Sequence, residues 1–170
     1  MAEIIVIPPT KNVEQDTKKL RTAAYARVSS DSDEQKNSFL TQMDYYKQYI
    51  SRNPEMEFVD LYADEAVTGT SKEKRDEFKK MIADCKEGKI DLILTKSVSR
   101  FARNTYDCIS TLRELKKIGV NVVFEENEID TRKITTESEL IAIASIAQEE
   151  SVSTSNNLKI AIRSRMRNGT

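Results

Sequence analysis

Two short segments of the chain combine serine hydroxyls with arginines. The first, YARVSS, covers Tyr25–Ser30, and the second, SRFARN, covers Ser99–Asn104; each lies at the end of a predicted strand. A strand inside an α/β sheet is apolar on both faces, so arginines at these places need an anionic partner to offset their desolvation. A hydroxyl held among fixed guanidinium groups is suited to attack on a phosphodiester.

Alternation along the first predicted strand puts Tyr25, Arg27 and Ser29 on one side, with Ser29 at the carboxyl end, where open α/β sheets bind ligands. A lone serine there is more often a loop residue or a helix cap, but Arg27 favours an anion site because its planar fork suits two phosphate oxygens. Arg100 and Arg103 are predicted to share a face at the amino end of a helix, where positive charge opposes the helix dipole unless an anion binds. Surface solubility is the alternative explanation for this pair.

Composition removes most other catalytic groups. The 170 residues contain no histidine, which excludes Ser-His-Asp and Cys-His arrangements and the common zinc sites. The two cysteines, Cys85 and Cys108, fall on apolar helix faces, so we expect free, buried thiols. The sequence shows no signal peptide and no apolar run of membrane length. We therefore expect a cytoplasmic protein without a membrane partner.

The net charge of −1 hides a strong segregation of charge along the chain. Acidic residues crowd the region 125–139, whereas the last twelve residues carry four basic side chains and no acidic one. This basic end could follow a phosphate backbone. It could equally be a solvated helix end that the helix dipole favours, and both interpretations stay open.

The spacing of apolar residues predicts alternating strands and helices from Lys19 onwards. The predicted strands are Arg21–Val28, Glu57–Tyr62, Asp91–Lys96 and Asn121–Phe124, and the predicted helices are Gln35–Arg52, Lys72–Lys86 and Asn104–Ile118. This alternation indicates an α/β domain with a mostly parallel sheet flanked by helices. We assign residues 19–135 to this core.

Both ends of the chain depart from the alternation. Residues 1–18 are predicted to form an arm outside the core, in which Ile4–Ile7 could add a short edge strand. Residues 136–170 contain no proline and no glycine before position 169, and they are predicted to form one long helix or two nearly continuous ones. The apolar positions of this segment are Leu140, Ile141, Ala144, Ala147, Leu158 and Ile162. At about 1.5 Å per residue such a helix outruns the domain, so part of it should pack on a partner subunit unless Ser151–Asn157 interrupts it.

Four motifs, in this order, resemble the catalytic domain of the serine recombinases, the resolvase/invertase superfamily. They are YARVSS with Ser38 and Gln42 behind it, DEAVTGTSKEKR, SRFARN, and AQEE at Ala147–Glu150. The resemblance runs from about Arg21 to the chain end. SRFARN and the long amino-terminal extension are most similar to the large serine recombinases, the integrases and transposases of mobile elements. Small resolvases usually have an aspartate where Ser99 stands, which leaves an acid or base role at that position open.

The resemblance implies a role for each motif residue. Ser29 is the implied nucleophile, and Arg27, Arg75, Arg100 and Arg103 are the implied ligands of the scissile phosphate. The implied supporting residues are Tyr25, Gln42, Asp64, Thr68, Ser99 and Glu150. Without the resemblance, Arg75 would be taken for a surface charge.

The resemblance also implies a fold and a reaction. The fold is a resolvase-like α/β domain with strand order 2-1-3-4 and a long carboxyl-terminal helix for dimerisation. The reaction is site-specific recombination of double-stranded DNA through a covalent 5′-phosphoserine intermediate, by a homodimer that becomes a tetramer during strand exchange. It requires no metal, ATP or other cofactor, because the phosphoester energy is kept in the protein–DNA bond.

Two other functions stay open at this point. One is a non-catalytic module that dimerises and holds DNA, and the other is an α/β domain that binds a small phosphate ligand. The second is disfavoured because no glycine-rich phosphate loop precedes a helix. Members of the resembled family continue into a DNA-binding region, so we expect these residues to be the catalytic part of a larger recombinase. We expect this part alone to be inactive.

Overall fold

The structure, a computed structural model, describes residues 18–29, 32–66, 75–146 and 149. The elements, in chain order, are β1 (Leu20–Ser29), α1 (Ser32–Ser51), β2 (Met56–Ala66), α2 (Asp76–Lys86), β3 (Leu92–Thr95), α3 (Val98–Phe101), α4 (Thr105–Lys117), β4 (Asn121–Phe124), β5 (Ile129–Asp130), a 3₁₀ turn (Thr131–Lys133) and α5 (137–146). The predicted α/β alternation is confirmed. The short elements α3 and β5 were not predicted, and β2 runs four residues further than the predicted Glu57–Tyr62.

The sheet has the order β2-β1-β3-β4-β5. The first four strands are parallel and confirm the order 2-1-3-4, and β5 pairs antiparallel with β4 at one edge. The predicted edge strand at Ile4–Ile7 lies outside the described residues. Tyr25, Thr95 and Phe124 are level with one another across three strands. The residues that follow them therefore emerge at the same edge of the sheet.

The sheet is buried on both faces, as helices on the two sides of a parallel sheet require. On one face, Ala24, Leu92 and Leu94 pack with Tyr46 and Ile50 of α1. On the other face the core is built from apolar residues of the sheet, α2, α3, α4 and α5, among them Tyr25, Met81, Ile93, Phe101, Leu112 and Leu140. This division follows from the alternation of side chains along each strand.

Both cysteines are free and buried, which confirms the prediction from the sequence. Cys85 lies on α2 and Cys108 on α4, each facing the core. Burial raises the pKa of the Cys85 thiol and of the Cys108 thiol to about 12. Neither thiol is therefore activated as a nucleophile at neutral pH.

Helix α5 begins with a capping box, in which Thr136 and Glu139 exchange hydrogen bonds. Its described part buries Leu140, Ile143 and Ala144 against the core. Ile141 of the predicted apolar stripe is 46% exposed, because the helical period turns it away from the sheet and the core of the domain does not cover it. The rest of the stripe, from Ala147 onwards, lies outside the described residues. In the described ranges, no helix has the length and apolar character needed to cross a membrane.

Candidate active site

A cleft of about 620 Å³ opens at the carboxyl ends of β1, β3 and β4. Its lining residues are Tyr25, Ala26 and Arg27 of β1, Gln42, Tyr45 and Tyr46 of α1, Lys96 after β3, Arg100 of α3, and Glu125 and Glu126 after β4. This is the edge at which open α/β sheets bind ligands. The neighbouring strands β1 and β3 both end at this edge, where the sequence places Arg27 and Arg100.

Three cationic side chains meet in this cleft. Arg27 is partly buried near the end of β1, while Lys96 and Arg100 are exposed. Lys96 forms an ion pair with Glu126, with 3.2 Å between the nitrogen and the carboxylate oxygen. The two guanidinium groups provide planar donor pairs, which match the oxygens of a phosphate better than an ammonium does. The cleft is therefore suited to a phosphate group.

Glu125, which also lines the cleft, is held by two tyrosines of α1. Its carboxylate accepts hydrogen bonds from the hydroxyls of Tyr45 and Tyr46, each at 3.1 Å. Burial, followed by the nearby Glu125 carboxylate, raises the pKa of Tyr46 above its ordinary value. Both tyrosines thus remain donors at neutral pH and tie α1 to the end of β4.

Tyr25, which lines the cleft, connects two buried charged residues. Its buried hydroxyl donates to Asp64 at 3.0 Å and accepts from Arg75 at 3.2 and 3.1 Å. Burial is the main cause that raises the pKa of Tyr25 to about 12. Asp64 also accepts from the backbone N–H groups of Glu77 and Phe78, both at 3.0 Å. A carboxylate on β2 thereby caps α2, whose N-cap residue Arg75 makes no side-chain capping bond.

Arg75 is 9% exposed and directed into the interior. Its guanidinium carbon lies 3.7 Å from the ring centroid of Phe78, and its Nη2 donates to the Phe101 carbonyl oxygen at 2.6 Å. It is not among the residues that line the cleft. The role of Arg75 as a phosphate ligand therefore stays a prediction, and in this arrangement the side chain connects α2 to α3.

The prediction that Arg100 and Arg103 share one helix face is wrong. Ala102 is extended, with φ −125° and ψ 152°, so α3 ends before it and α4 begins after Asn104. Asn104 caps α4 by accepting from the backbone N–H of Asp107 at 2.9 Å. Both arginines are exposed, but only Arg100 is among the described residues that line the cleft.

The remaining predicted site residues fall into three groups. Gln42 lines the cleft, and the Ser99 hydroxyl lies 3.0 Å from that of Ser97. The backbone of Ser29 is described as the last residue of β1, level with Ala66 of β2, but its side chain is not. Thr68 and Glu150 lie outside the described residues altogether.

Sequence reasoning missed five of the cleft residues: Tyr45, Tyr46, Lys96, Glu125 and Glu126. The acidic pair and the lysine lie directly at strand ends, so the rule that located Ser29 would have found them too. The tyrosines gave no such signal, since an aromatic residue at helical spacing indicates a core position first. In the described part of the chain, no three potential metal ligands form a group that could hold an ion.

The family model described as "Resolvase, N terminal domain" matches residues 22–170. The crystal structure of a resolvase family site-specific recombinase from Streptococcus pneumoniae is similar at 29% identity and a TM-score of 0.60, over 88% of this chain and 99% of that one. The N-terminal catalytic domain of TP901-1 integrase is similar in fold, with 21% identity and a TM-score of 0.56, over 77% of this chain and 96% of that one. No curated protein matches the chain significantly.

Proposed function

Because the chain belongs to the family of resolvase N-terminal domains, we propose that it cleaves and rejoins double-stranded DNA through a covalent phosphoserine intermediate. The observation that carries this proposal is the convergence of Arg27 and Arg100 in one cleft at the carboxyl end of β1. Ser29 lies two residues beyond Arg27 on the same strand. A nucleophile and two planar cations at one strand end are what phosphoryl transfer to serine needs.

In the proposed reaction, Ser29 Oγ attacks the phosphorus of a DNA phosphodiester. A bond forms between Oγ and phosphorus, and the bond from phosphorus to the 3′ oxygen breaks. The proton lost by the serine is balanced by the proton that the leaving 3′ oxygen gains. The reverse step, with a new 3′ hydroxyl, rejoins the strand without any other energy source.

The cationic residues stabilise the charge that develops on the phosphoryl oxygens. Arg27 and Arg100 would do so directly, and one preorganised donor of this kind contributes about 3–4 kcal/mol to transition-state stabilisation. We assign Arg103 to the same phosphate from its place beside α3. Arg75 would have to leave the Phe101 carbonyl to reach the phosphate, so its described contacts support a positioning role.

The supporting residues keep this edge of the sheet in place. Tyr25 and Asp64 connect β1, β2 and α2, and Gln42 lines the cleft from α1. We assign supporting roles to Ser99, Thr68 and Glu150 from their motifs alone.

We further propose that the active species is a homodimer formed through the last helix, with a tetramer during strand exchange, acting on DNA in the cytoplasm. Exposed Ile141 on α5 supports a contact between subunits.

The test is the capture of a covalent protein–DNA adduct. The chain is fused at its carboxyl end to a zinc-finger array, which supplies the DNA affinity that we do not expect of these residues alone. The substrate is a pool of duplexes with inverted zinc-finger sites around a random spacer, labelled at the 3′ ends because the serine retains the 5′ phosphate. We expect labelled DNA to remain on the protein after denaturation.

The matched variants are Ser29→Ala and Ser30→Ala, which remove the same atom from neighbouring residues. Ser29→Ala should abolish the adduct, and Ser30→Ala should retain it. An adduct that survives in Ser29→Ala would contradict the proposed nucleophile. No adduct with any spacer, although the fusion binds its sites, would contradict the proposed reaction.

A further inference from the structure

Helix α3, which carries Arg100 into the cleft, is too short to be stable by itself. It is a single turn of four residues. Forming the first turn of a helix costs more conformational entropy than the free energy that its one hydrogen bond contributes. Its N-cap residue, Ser97, makes no side-chain capping bond, and the Ser97 hydroxyl lies 3.0 Å from that of Ser99 instead. The first N–H groups of α3 must therefore find partners elsewhere in the fold.

Asn127 provides this partner from another part of the chain. Its side-chain oxygen accepts a hydrogen bond from the backbone N–H of Val98 at 3.0 Å, across 29 residues of sequence. Asn127 lies in the turn between β4 and β5, where Glu128 adopts a left-handed φ of 54°. Pairing of Phe124 with Ile129 closes this hairpin. The hairpin thus holds an N-capping side chain against α3.

The other end of α3 is held in a similar way. The Phe101 carbonyl accepts from Arg75 at 2.6 Å, across 26 residues of sequence. Val98 and Phe101 are completely buried, so both ends of the turn are anchored while Arg100 between them is exposed. The direction of the Arg100 side chain is consequently set by these two hydrogen bonds and two buried side chains.

We propose that Asn127 is a positioning residue that fixes the start of α3 and thereby holds Arg100 in the cleft. The turn between β4 and β5, which contains Asn127, also contains Glu125 and Glu126 of the cleft lining. One hairpin therefore positions acidic residues of the cleft and the basic residue Arg100. The proposal rests on the proposed function only in taking phosphate as the group that Arg100 binds. The hydrogen bond to Val98 is independent of that function.

The test compares variants of Asn127 with a matched control elsewhere in the chain. Asn127→Ala removes the acceptor, whereas Asn127→Asp retains an acceptor oxygen. Asn53→Ala is the control, because the Asn53 oxygen accepts from the Glu55 N–H at the same 3.0 Å, before β2 and away from the cleft. Asn127→Leu also removes the acceptor oxygen but keeps a side chain of similar size. It keeps the proposal testable if Asn127→Ala does not fold.

Two NMR readouts are taken on the whole chain with ¹⁵N label. The first is hydrogen exchange of the Val98 amide, and the second is the shift of the Arg100 Nε–Hε signal on addition of inorganic phosphate. In Asn127→Ala we expect Val98 exchange about tenfold faster and phosphate affinity at Arg100 about fivefold weaker, as for the loss of one hydrogen bond. Asn127→Leu should change both readouts in the same direction. Asn127→Asp should restore the protection of Val98, and Asn53→Ala should change neither readout.

Unchanged signals of Val98 and Arg100 in folded Asn127→Ala would overturn the proposal. Equal changes in Asn53→Ala would also overturn it, because they would indicate a general loss of stability. A different result would separate the proposal from the function on which it rests. If Val98 loses protection only in the Asn127 variant, but Arg100 of the unaltered chain does not respond to phosphate, the positioning contact is supported and the phosphate site is contradicted.

Discussion

The buried hydroxyl of Tyr25 offers the sharpest test of the hydrogen-bond network that joins Asp64 and Arg75. Tyr25→Phe removes one oxygen and leaves the ring in place. It deletes the bond to Asp64 and the two bonds from Arg75, while Asp64 keeps its two backbone donors and Arg75 keeps the Phe101 carbonyl. The change therefore weakens the network without removing any charged residue.

The expected cost follows from the number and kind of these bonds. A hydrogen bond to a charged group contributes about 1.5–3 kcal/mol, and unsatisfied buried groups add to the loss. Since both charged partners keep other bonds, we expect Tyr25→Phe to lower the free energy of unfolding by about 3 kcal/mol. For a domain of this size that corresponds to roughly 6–12 °C in the melting temperature. The control is Tyr62→Phe, because Tyr62 pairs with Tyr25 across the sheet, is also buried, and makes one bond, to Asp84 at 2.7 Å.

The assay is urea unfolding of both variants and of the unaltered chain, followed by circular dichroism. Tyr62→Phe should cost about 1 kcal/mol, since Asp84 remains partly exposed and water can replace the lost donor. Tyr25→Phe should cost clearly more. If the two variants are equally stable, or Tyr62→Phe is the less stable, the Tyr25 network does not contribute what its geometry indicates.

Three further predictions concern charge, thiol burial and phosphate binding. The hydrogen-bonded ion pair with Arg21 lowers the pKa of Asp91. This carboxylate therefore contributes stability above its unfolded pKa of about 4, and the contribution is lost as pH falls through the lower folded pKa. In Asp91→Asn the urea midpoint of unfolding should consequently decrease less between pH 6 and pH 2 than in the unaltered chain. A steeper acid loss in that variant would contradict the assignment. Both cysteines should resist iodoacetamide at pH 8 in the native chain and react fully in urea, as mass spectrometry would record; rapid native labelling would contradict their burial. Arg100→Lys should weaken binding of inorganic phosphate about tenfold in an NMR titration, because lysine retains the charge and loses the planar fork, whereas Arg113→Lys on α4 should not; equal effects would exclude a specific site.

Much of the fold was predictable because its long elements repeat a local signal. Helix α1 repeats a period of 3.6 over many residues, strand β1 contains the apolar run Ala23–Ala26, and Gly119, which follows α4, adopts a left-handed φ of 77°. The two-residue strand β5 and the four-residue helix α3 are too short to show any period. Their existence depends on tertiary hydrogen bonds such as that of Asn127, which no local pattern records.

The candidate site was predictable to the extent that it depends on strand ends. Arg27 lines the cleft because it lies near the end of a central strand, and Arg100 because it follows a neighbouring strand. Arg75 could not be placed in the same way. Its position depends on the ring of Phe78 and the carbonyl of Phe101, and the sequence does not show that these two groups lie together.

The most direct measurement is the mass of the peptide that carries the attached DNA. The adduct formed by the fusion protein is digested with nuclease and trypsin, which releases the peptide Val28–Lys36, since the chain is cut after Arg27 and after Lys36. We expect this peptide to carry a nucleotide through its 5′ phosphate, and fragmentation to locate the phosphate on Ser29. A nucleotide on Ser30, on a tyrosine, or on any other peptide would contradict the assignment of Ser29 as the nucleophile.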